Sequence, residues 1–222
     1  MNPKLQLLTF AIAVMMVSTV LLCLAGSTQA QHITYPIRVA CVGDSITEKS
    51  GYTAKLATML GTNYSVGNFG VSGTTVTLES ETPYMKESKF YAAESFQPKI
   101  VVIMLGTNDA RYDYTKYQVN FEEEYGKIIS SFKNLNNNPE IILVRCPPIF
   151  NNNLFLNETT FSESVIPHID NVAGNFSLPT VDVYDAFGNH SEYTADGVHP
   201  TSEGADIIAS QVYGYIMSMD PP

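Results

Sequence analysis

Short apolar runs that alternate with helix-like segments constrain the fold of this chain more than any other feature. The clearest run is Ile100–Leu105, which has no polar member, and Ile37–Val42 and Ile141–Cys146 are similar. Runs of this length are typical of strands that are buried on both faces of a sheet. Tyr64–Phe69 is a weaker candidate strand and Thr180–Tyr184 a short one. The sequence therefore predicts five strands.

Helix-like segments separate these runs. Apolar residues recur at helical spacing in Tyr52–Leu60 and along one stripe of Val119–Leu135. Further helices are predicted over Ser88–Phe96, Ser162–Phe176 and Ser202–Met217. Strands that alternate with helices indicate a parallel sheet covered on both faces. We expect an α/β fold, a three-layer α/β/α sandwich with a mostly parallel five-stranded sheet.

The N-terminus has the pattern of a targeting segment. Lys4 is its only charge, the apolar run Leu5–Ala25 follows, and small and polar residues lead to Ala30. This order predicts a signal peptide over residues 1–30 and a single domain over residues 31–222. We expect a secreted protein, extracellular or periplasmic. The alternative is an uncleaved membrane anchor through residues 5–25, because about 20 apolar residues can span a bilayer.

Composition excludes some partners. The chain has 222 residues, of which 45% are hydrophobic and 15% charged, which is typical of a folded domain with a sizeable core. Its net charge of −10 argues against nucleic acid, because binding to phosphates needs an excess of Lys and Arg. No stable membrane partner is expected after signal cleavage. The sequence leaves the oligomeric state open.

Cys41 and Cys146 are the cysteines that remain once the signal segment is removed. Both belong to strand-like runs, where a buried free thiol is the simplest expectation. If a third strand lies between theirs, the Cα atoms are about 9–10 Å apart, which is beyond the reach of a disulfide. We therefore expect both residues to pack in the core.

Polar residues follow the predicted strands at four places. These segments are Gly43–Thr47, Asn68–Gly73, Gly106–Asp109 and, near the C-terminus, Asp196–Pro200. Taken singly, each has an ordinary explanation as a turn, a helix cap or a loop. Taken together they fall where parallel α/β sheets place their sites, at the carboxyl ends of the strands.

The chain lacks the sequence motifs of several other enzyme classes. There is no Gly-x-Ser-x-Gly, as ordinary α/β-hydrolases have, and no His-Glu-x-x-His of a zinc enzyme. There is also no Gly-x-Gly-x-x-Gly or Walker sequence, which disfavours a nucleotide-binding site.

The four segments resemble the sequence blocks of the SGNH (GDSL-type) hydrolase superfamily. The resemblance runs from about Ile37 to the final helix, nearly the whole mature chain, and it implies a flavodoxin-like sheet. Within the superfamily the chain is most similar to small sialate O-acetylesterase-like and carbohydrate acetylesterase-like members, over Ile37–Ser45, Val66–Gly73 and Phe96–Asp109. It departs from them after Thr47, where relatives commonly have Tyr-Gly and this chain has Glu48-Lys49-Ser50. That change alters the rim of the cleft.

The resemblance implies a role for five residues. Ser45 is the nucleophile, His199 is the base that takes its proton, and Asp196 holds the imidazole. The oxyanion hole consists of the backbone N–H groups of Ser45 and Gly70 and the side-chain amide of Asn108. A glycine is expected at position 70 because a Cβ there would crowd the tetrahedral intermediate.

Neighbouring polar residues are assigned supporting roles. Asp44 is expected to cap or support the nucleophile, and Asn68 to brace its loop by hydrogen bonding. Ser72 is the one rival nucleophile near the site. His168 and His190 have no motif around them.

The implied activity is that of a serine esterase acting through an acyl-enzyme intermediate. It would remove short acyl groups, chiefly acetyl, from small-molecule or glycan esters outside the cell, and this chemistry needs no cofactor and no metal. One alternative is a lysophospholipase or short-chain lipid esterase, although Ser72–Lys99 is too polar for an obvious lipid-binding flap. A remote alternative is a catalytically silent glycan-binding module.

Overall fold

A five-stranded parallel sheet is the centre of the protein. The structure is a computed structural model that describes residues 36–111 and 119–219. The spatial order of the strands is β2-β1-β3-β4-β5, and every neighbouring pair is parallel. The strands are β1 (Ile37–Gly43), β2 (Tyr64–Gly70), β3 (Ile100–Met104), β4 (Glu140–Arg145) and β5 (Thr180–Asp182).

Helices cover both faces of this sheet. They are α1 (Ser45–Lys49), α2 (Tyr52–Leu60), α3 (Ser88–Ser95), α4 (Phe121–Lys133), α5 (Ile166–Phe176), α6 (Val183–Phe187) and α7 (Ser202–Ser218). Helix α2 packs against α7, and α4 packs against α5. The prediction of an α/β/α sandwich with five strands is therefore confirmed.

The central strands explain why the sequence signal was strong. Residues Val39–Val42 of β1 and Ile100–Ile103 of β3 have no solvent-exposed area, since each strand has a neighbour on both sides and helices above and below. Burying one such aliphatic side chain contributes about 1.5–3 kcal/mol. The core therefore lies directly under the loops that follow β1 and β3.

Two predicted elements differ in detail from the structure. The helix predicted over Ser162–Phe176 starts earlier, as a short helical turn (Glu158–Thr160) and a π-helical turn (Phe161–Val165) that lead into α5. The strand predicted over Thr180–Tyr184 ends at Asp182, because the Asp182 carboxylate caps α6 by accepting a hydrogen bond from the N–H of Asp185 at 2.9 Å.

The cysteines lie where the sequence placed them. Cys41 is in β1 and Cys146 directly follows β4, with β3 between the two strands, and both are buried and free. The prediction of packing without a disulfide is confirmed. Burial raises the pKa of the Cys41 thiol to about 12, which keeps it protonated and unreactive.

The N-terminal predictions lie outside the described residues. These predictions are the signal segment over residues 1–30 and the alternative anchor over residues 5–25. Across residues 36–111 and 119–219, no helix combines the length and the hydropathy needed to cross a bilayer.

Candidate active site

Ser45 lies at the carboxyl end of β1, as the first residue of α1. Asp44 caps this helix, since its Oδ1 accepts a hydrogen bond from the N–H of Ile46 at 2.9 Å. The strand and the helix meet closely at Gly43, where a Cβ would lie 2.1 Å from Thr47 Oγ1 and 2.6 Å from Met104 O. The tight strand-to-helix turn therefore fixes the position of Ser45, which is 8% exposed.

Ser45, His199 and Asp196, the three residues predicted as catalytic, lie in one hydrogen-bonded line. His199 Nε2 is 2.9 Å from Ser45 Oγ, and His199 Nδ1 is 2.7 Å from Asp196 Oδ2. With its proton on Nδ1 the imidazole donates to the carboxylate, which leaves Nε2 to accept the hydroxyl proton. This arrangement can deprotonate the serine as its oxygen attacks an electrophile.

Asp196 also folds the loop that carries the imidazole. Its Oδ1 accepts hydrogen bonds from the N–H of Val198 at 3.1 Å and from the N–H of His199 at 2.8 Å. Partial burial works to raise the pKa of Asp196, but the bonds from His199 and Val198 outweigh it and leave the pKa below its ordinary value. The carboxylate is therefore ionised when it faces the imidazole.

A second segment supports the histidine loop from behind. Gly197 has a φ of +86°, and a Cβ there would lie 2.2 Å from the carbonyl oxygen of Asn151. The N–H of Phe150 donates to Gly197 O at 2.7 Å, which joins the two segments. The position of His199 thus depends on close backbone packing against residues 150–151.

Gly70 does not occupy the place predicted for it. Its N–H donates to Asn68 Oδ1 at 3.0 Å, so it is not directed at a ligand. A Cβ at this position would meet the backbone of α1, 2.3 Å from Glu48 N and 2.8 Å from Asp44 O, rather than a tetrahedral intermediate. The structure therefore corrects the assignment of Gly70 as an oxyanion donor, because this glycine instead lets α1 pack on the end of β2.

Gly73 is the glycine that lines the same cleft as Ser45 and His199. Its φ is +78°, a left-handed conformation that favours glycine, and a Cβ there would have no atom within 4 Å. Within the part of the chain that the structure describes, the Gly73 N–H donates to no other residue. Sequence reasoning missed it, although the turn-forming Ser72-Gly73 pair was a possible signal.

Asn108 lies at the carboxyl end of β3, in a 3₁₀ turn over Thr107–Ala110. Its Nδ2 donates to Thr74 O at 2.9 Å and is 3.5 Å from Asp44 Oδ2. The side-chain amide lines the cleft beside Ser45. It can therefore present a second N–H to a negatively charged oxygen next to the serine.

Two buried carboxyl groups lie beneath the cleft. Asp44 and Asp109 have no exposed area, and burial raises their pKa values to about 6 and about 7. The Asp109 oxygens accept hydrogen bonds from the N–H groups of Val76 and Thr77 at 3.0 and 3.1 Å. Asp44 and Asp109 thus anchor α1 and the Val76–Thr77 segment instead of facing the cleft.

Asn68 holds its loop against α1. Its Nδ2 donates to Thr47 O at 2.8 Å and to Thr53 Oγ1 at 3.1 Å. Ser72, the rival nucleophile, donates its hydroxyl to Glu48 Oε2, which also accepts from the Ser72 N–H at 3.1 Å. Glu48 therefore ties the Ser72-Gly73 turn to α1.

The remaining histidines of the described region lie elsewhere. His168 Nδ1 is 2.8 Å from Glu122 Oε1, and His190 Nδ1 is 2.7 Å from Glu192 Oε1. Neither has Ser45 or Ser72 as a partner, so His199 is the imidazole at the serine.

The cleft above Ser45 has a volume of about 240 Å³. In the described part of the chain, its walls combine the polar groups described above with two cationic side chains, Lys49 and Arg111, and with three apolar ones, Leu154, Leu156 and Val198. Typical pockets for drug-sized ligands measure about 300–1,000 Å³. The cleft is therefore suited to a small apolar group held next to polar and charged groups.

Comparisons with known proteins give a family and the same fold. Residues 41–207 match the GDSL-like Lipase/Acylhydrolase family. An acetylxylan esterase of Xylanibacter ruminicola is 32% identical over 206 residues, covering 79% of this chain, and the chain spans 43% of that relative's length.

Among solved structures, a carbohydrate acetylesterase from Sinorhizobium meliloti superimposes with a TM-score of 0.68 at 18% identity, over 82% of this chain and 99% of its own. A GDSL-like lipase from Bacteroides thetaiotaomicron gives 0.63 at 26% identity, over 81% and 87%. The inhibitor-bound aryl esterase of M. smegmatis gives 0.70 at 17% identity, over 83% and 100%.

Proposed function

The chain belongs to the GDSL-like lipase/acylhydrolase family and is an esterase of the SGNH type, and from that premise we propose that it removes acetyl groups from carbohydrate esters. The proposal depends on one observation, the line of hydrogen bonds from Ser45 Oγ through His199 to Asp196. This is the arrangement of nucleophile, base and orienting carboxylate that acyl transfer requires.

The reaction would proceed in two steps. Ser45 Oγ attacks the ester carbonyl carbon while its proton passes to His199 Nε2, and the imidazolium then gives that proton to the leaving alcohol oxygen as the C–O bond breaks. Water next attacks the acyl-enzyme, with His199 again taking a proton, and releases acetate and free serine. Asp196 stays ionised and stabilises the imidazolium in both steps.

The negatively charged oxygen of each tetrahedral intermediate needs donors. We assign these to the backbone N–H groups of Ser45 and Gly73 and to the side-chain amide of Asn108, with Gly73 in place of Gly70. All three residues line the 240 Å³ cleft. Glu48 supports this set indirectly, since it holds the turn that carries Gly73.

The size of the cleft supports a short acyl group. Its volume of about 240 Å³ is below the usual range for larger ligands, and Leu154, Leu156 and Val198 offer a small apolar surface for a methyl group. A lysophospholipase would need a longer apolar channel for its acyl chain. The geometry therefore favours acetyl esters over long-chain lipid esters.

Similarity to an acetylxylan esterase supports a carbohydrate as the alcohol part of the substrate. This chain spans only 43% of that relative, so the relative's substrate cannot simply be transferred to it. The carbohydrate ester is our proposal for this chain. We likewise propose that residues 1–30 direct the protein out of the cell, which would bring it to polysaccharides.

A series of p-nitrophenyl esters tests the reaction. We expect the acetate to be hydrolysed faster than the octanoate, and acetylated xylan to release acetate. Ser45→Ala should abolish turnover, whereas Ser72→Ala should retain measurable activity, because the Ser72 hydroxyl is bonded to Glu48 rather than to His199. Faster hydrolysis of octanoate would support the lipid esterase, and a wild-type protein inactive on every ester would contradict the proposal.

A further inference from the structure

A second and larger cleft lies next to the one that contains Ser45. It has a volume of about 460 Å³ and is formed by two segments, residues 150–154 and residues 191–197. Leu154 lines both clefts, and Asp196, which lines the larger cleft, bonds to the His199 that lines the smaller one. The two clefts are therefore neighbours, and the proposed reaction uses only the smaller one.

Three polar side chains of the larger cleft are available to a ligand. Asn151, Asn153 and Ser191 line it, and within residues 36–111 and 119–219 their side chains form no hydrogen bond. Amide and hydroxyl groups both donate and accept, so these three residues can match the hydroxyl groups of a sugar. Phe150 and Leu154 add apolar surface of the kind that the C–H faces of a sugar ring can contact.

The charge of this cleft points to a neutral ligand. Asp196 is its one charged lining residue in the described part of the chain, and that carboxylate is already bonded to His199. Among the residues that the structure describes, no Lys or Arg lines it to attract a carboxylate or phosphate. A neutral, hydroxyl-rich ligand fits better than an anion.

Asn152 gives this cleft a fixed shape. Unlike its two neighbours, it uses its side chain internally: Nδ2 donates to Phe150 O at 2.9 Å and Leu156 O at 3.0 Å, and Oδ1 accepts from the N–H of Leu154 at 2.9 Å. The loop is further fixed by the bond from Phe150 N–H to Gly197 O. A preorganised wall lowers the entropy cost of binding.

We propose that the larger cleft binds a neutral oligosaccharide, namely the sugar units next to the one whose acetyl group is removed. This inference rests on the proposed function, because it places the ester in the smaller cleft at Ser45. It adds that the preferred substrate is a chain of sugars rather than a single acetylated sugar. Asn151 and Asn153 are the specificity-determining residues, and neither takes part in the bond-breaking steps.

Kinetics on substrates of different length test the proposal. We expect kcat/KM to rise from acetylated xylose to acetylated xylotriose in the wild type. Asn151→Ala and Asn153→Ala should each raise KM for acetylated xylotriose about fivefold, the equivalent of one neutral hydrogen bond. Asn153→Ala, which is not in the segment that packs against Gly197, should leave p-nitrophenyl acetate hydrolysis unchanged. Asn136→Ala is the matched control. Asn136 is an exposed loop asparagine that precedes β4, so it lies at the amino-terminal ends of the strands, away from both clefts.

Two results would overturn the inference. One is equal kcat/KM on acetylated xylose and xylotriose, and the other is an equal loss on xylotriose and p-nitrophenyl acetate in both variants, which would indicate a disturbed His199 loop. Failure of the proposed function would look different, because the wild type would then be inactive on p-nitrophenyl acetate as well.

Direct binding gives a readout that needs no turnover. Calorimetry with Ser45→Ala protein and unacetylated xylotetraose should show binding that is weakened by Asn151→Ala and by Asn153→Ala but not by Asn136→Ala. Absence of binding, or binding that is the same in all four proteins, would contradict the proposal.

Discussion

Replacing Gly197 by alanine tests the packing that positions the candidate base. Gly197 has a φ of +86°, and an added Cβ would lie 2.2 Å from the carbonyl oxygen of Asn151 and 2.9 Å from its carbonyl carbon. Both neighbours are backbone atoms, so a side-chain rotation cannot relieve the overlap. The Asn151 backbone or the histidine loop must therefore move by about 1 Å to restore ordinary contact.

The expected magnitude follows from two contributions. A left-handed φ in an alanine costs roughly 1–2 kcal/mol. Separation of the segments also breaks the 2.7 Å hydrogen bond from Phe150 N–H to Gly197 O, worth about 1 kcal/mol. The free energy of unfolding should fall by about 2–3 kcal/mol, which lowers Tm by roughly 4–12 °C in a domain of this size. A displacement of His199 by about 1 Å should reduce kcat/KM about 100-fold.

Gly61→Ala is the matched control for this substitution. Gly61 also has a left-handed φ, +72°, but an added Cβ would have no atom within 4 Å, and the residue lies at the end of α2 before β2 begins. It should lose stability through strain alone and keep wild-type kinetics on p-nitrophenyl acetate. If Gly197→Ala unfolds cooperatively and its kinetics match those of Gly61→Ala, the packing of residues 150–151 does not position the histidine.

Two further predictions concern the oxyanion donors and the buried carboxyl groups. Asn108→Ala should lower kcat for p-nitrophenyl acetate about 100- to 1,000-fold, as loss of one donor typically does, and a loss under tenfold would exclude it from the oxyanion hole. Because burial raises the pKa of Asp44 to about 6 and of Asp109 to about 7, the folded state binds more protons than the unfolded state between about pH 4 and pH 7. The free energy of unfolding measured with urea should therefore fall by roughly 4 kcal/mol from pH 5 to pH 7.5, and a rise over that interval would contradict the argument.

The fold could be predicted because its central strands leave a strong trace in the sequence. A strand with neighbours on both sides, such as β3, must be apolar along its whole length, and Ile100–Leu105 is. The edge strand β5 leaves a weaker trace, because it is only three residues long. Its end at Asp182 depends on a helix cap that starts α6, and a single carboxylate of this kind does not stand out from other polar residues.

Ser45, His199 and Asp196 could be predicted from the sequence because their segments resemble the sequence blocks of SGNH hydrolases and come after predicted strands. Parallel strands end at one edge of the sheet, so Ser45, directly after β1, must lie there. His199 follows α6 rather than β5 itself, and its position depends on the packing of its loop against residues 150–151. The neighbouring larger cleft left no such signal. Its three consecutive asparagines were interpreted only as loop residues. The Asn152 side chain bonds within the loop whereas those of Asn151 and Asn153 do not, and this difference depends on the conformation of the loop.

The sequence alone could not decide which glycine, Gly70 or Gly73, lines the cleft beside Ser45. Both glycines follow the second strand-like run, and spacing does not distinguish a glycine that leaves room for a ligand from one that leaves room for a helix. The pairing of Gly43 with Gly70 extends β2 to residue 70, and α1 then crosses above it, so a Cβ there would lie 2.3 Å from Glu48 N. The turn that follows exposes the next glycine, Gly73, to the cleft, and Glu48 holds that turn. Which glycine lines the cleft is therefore set by the register of β1 and β2, which appears only once the chain has folded.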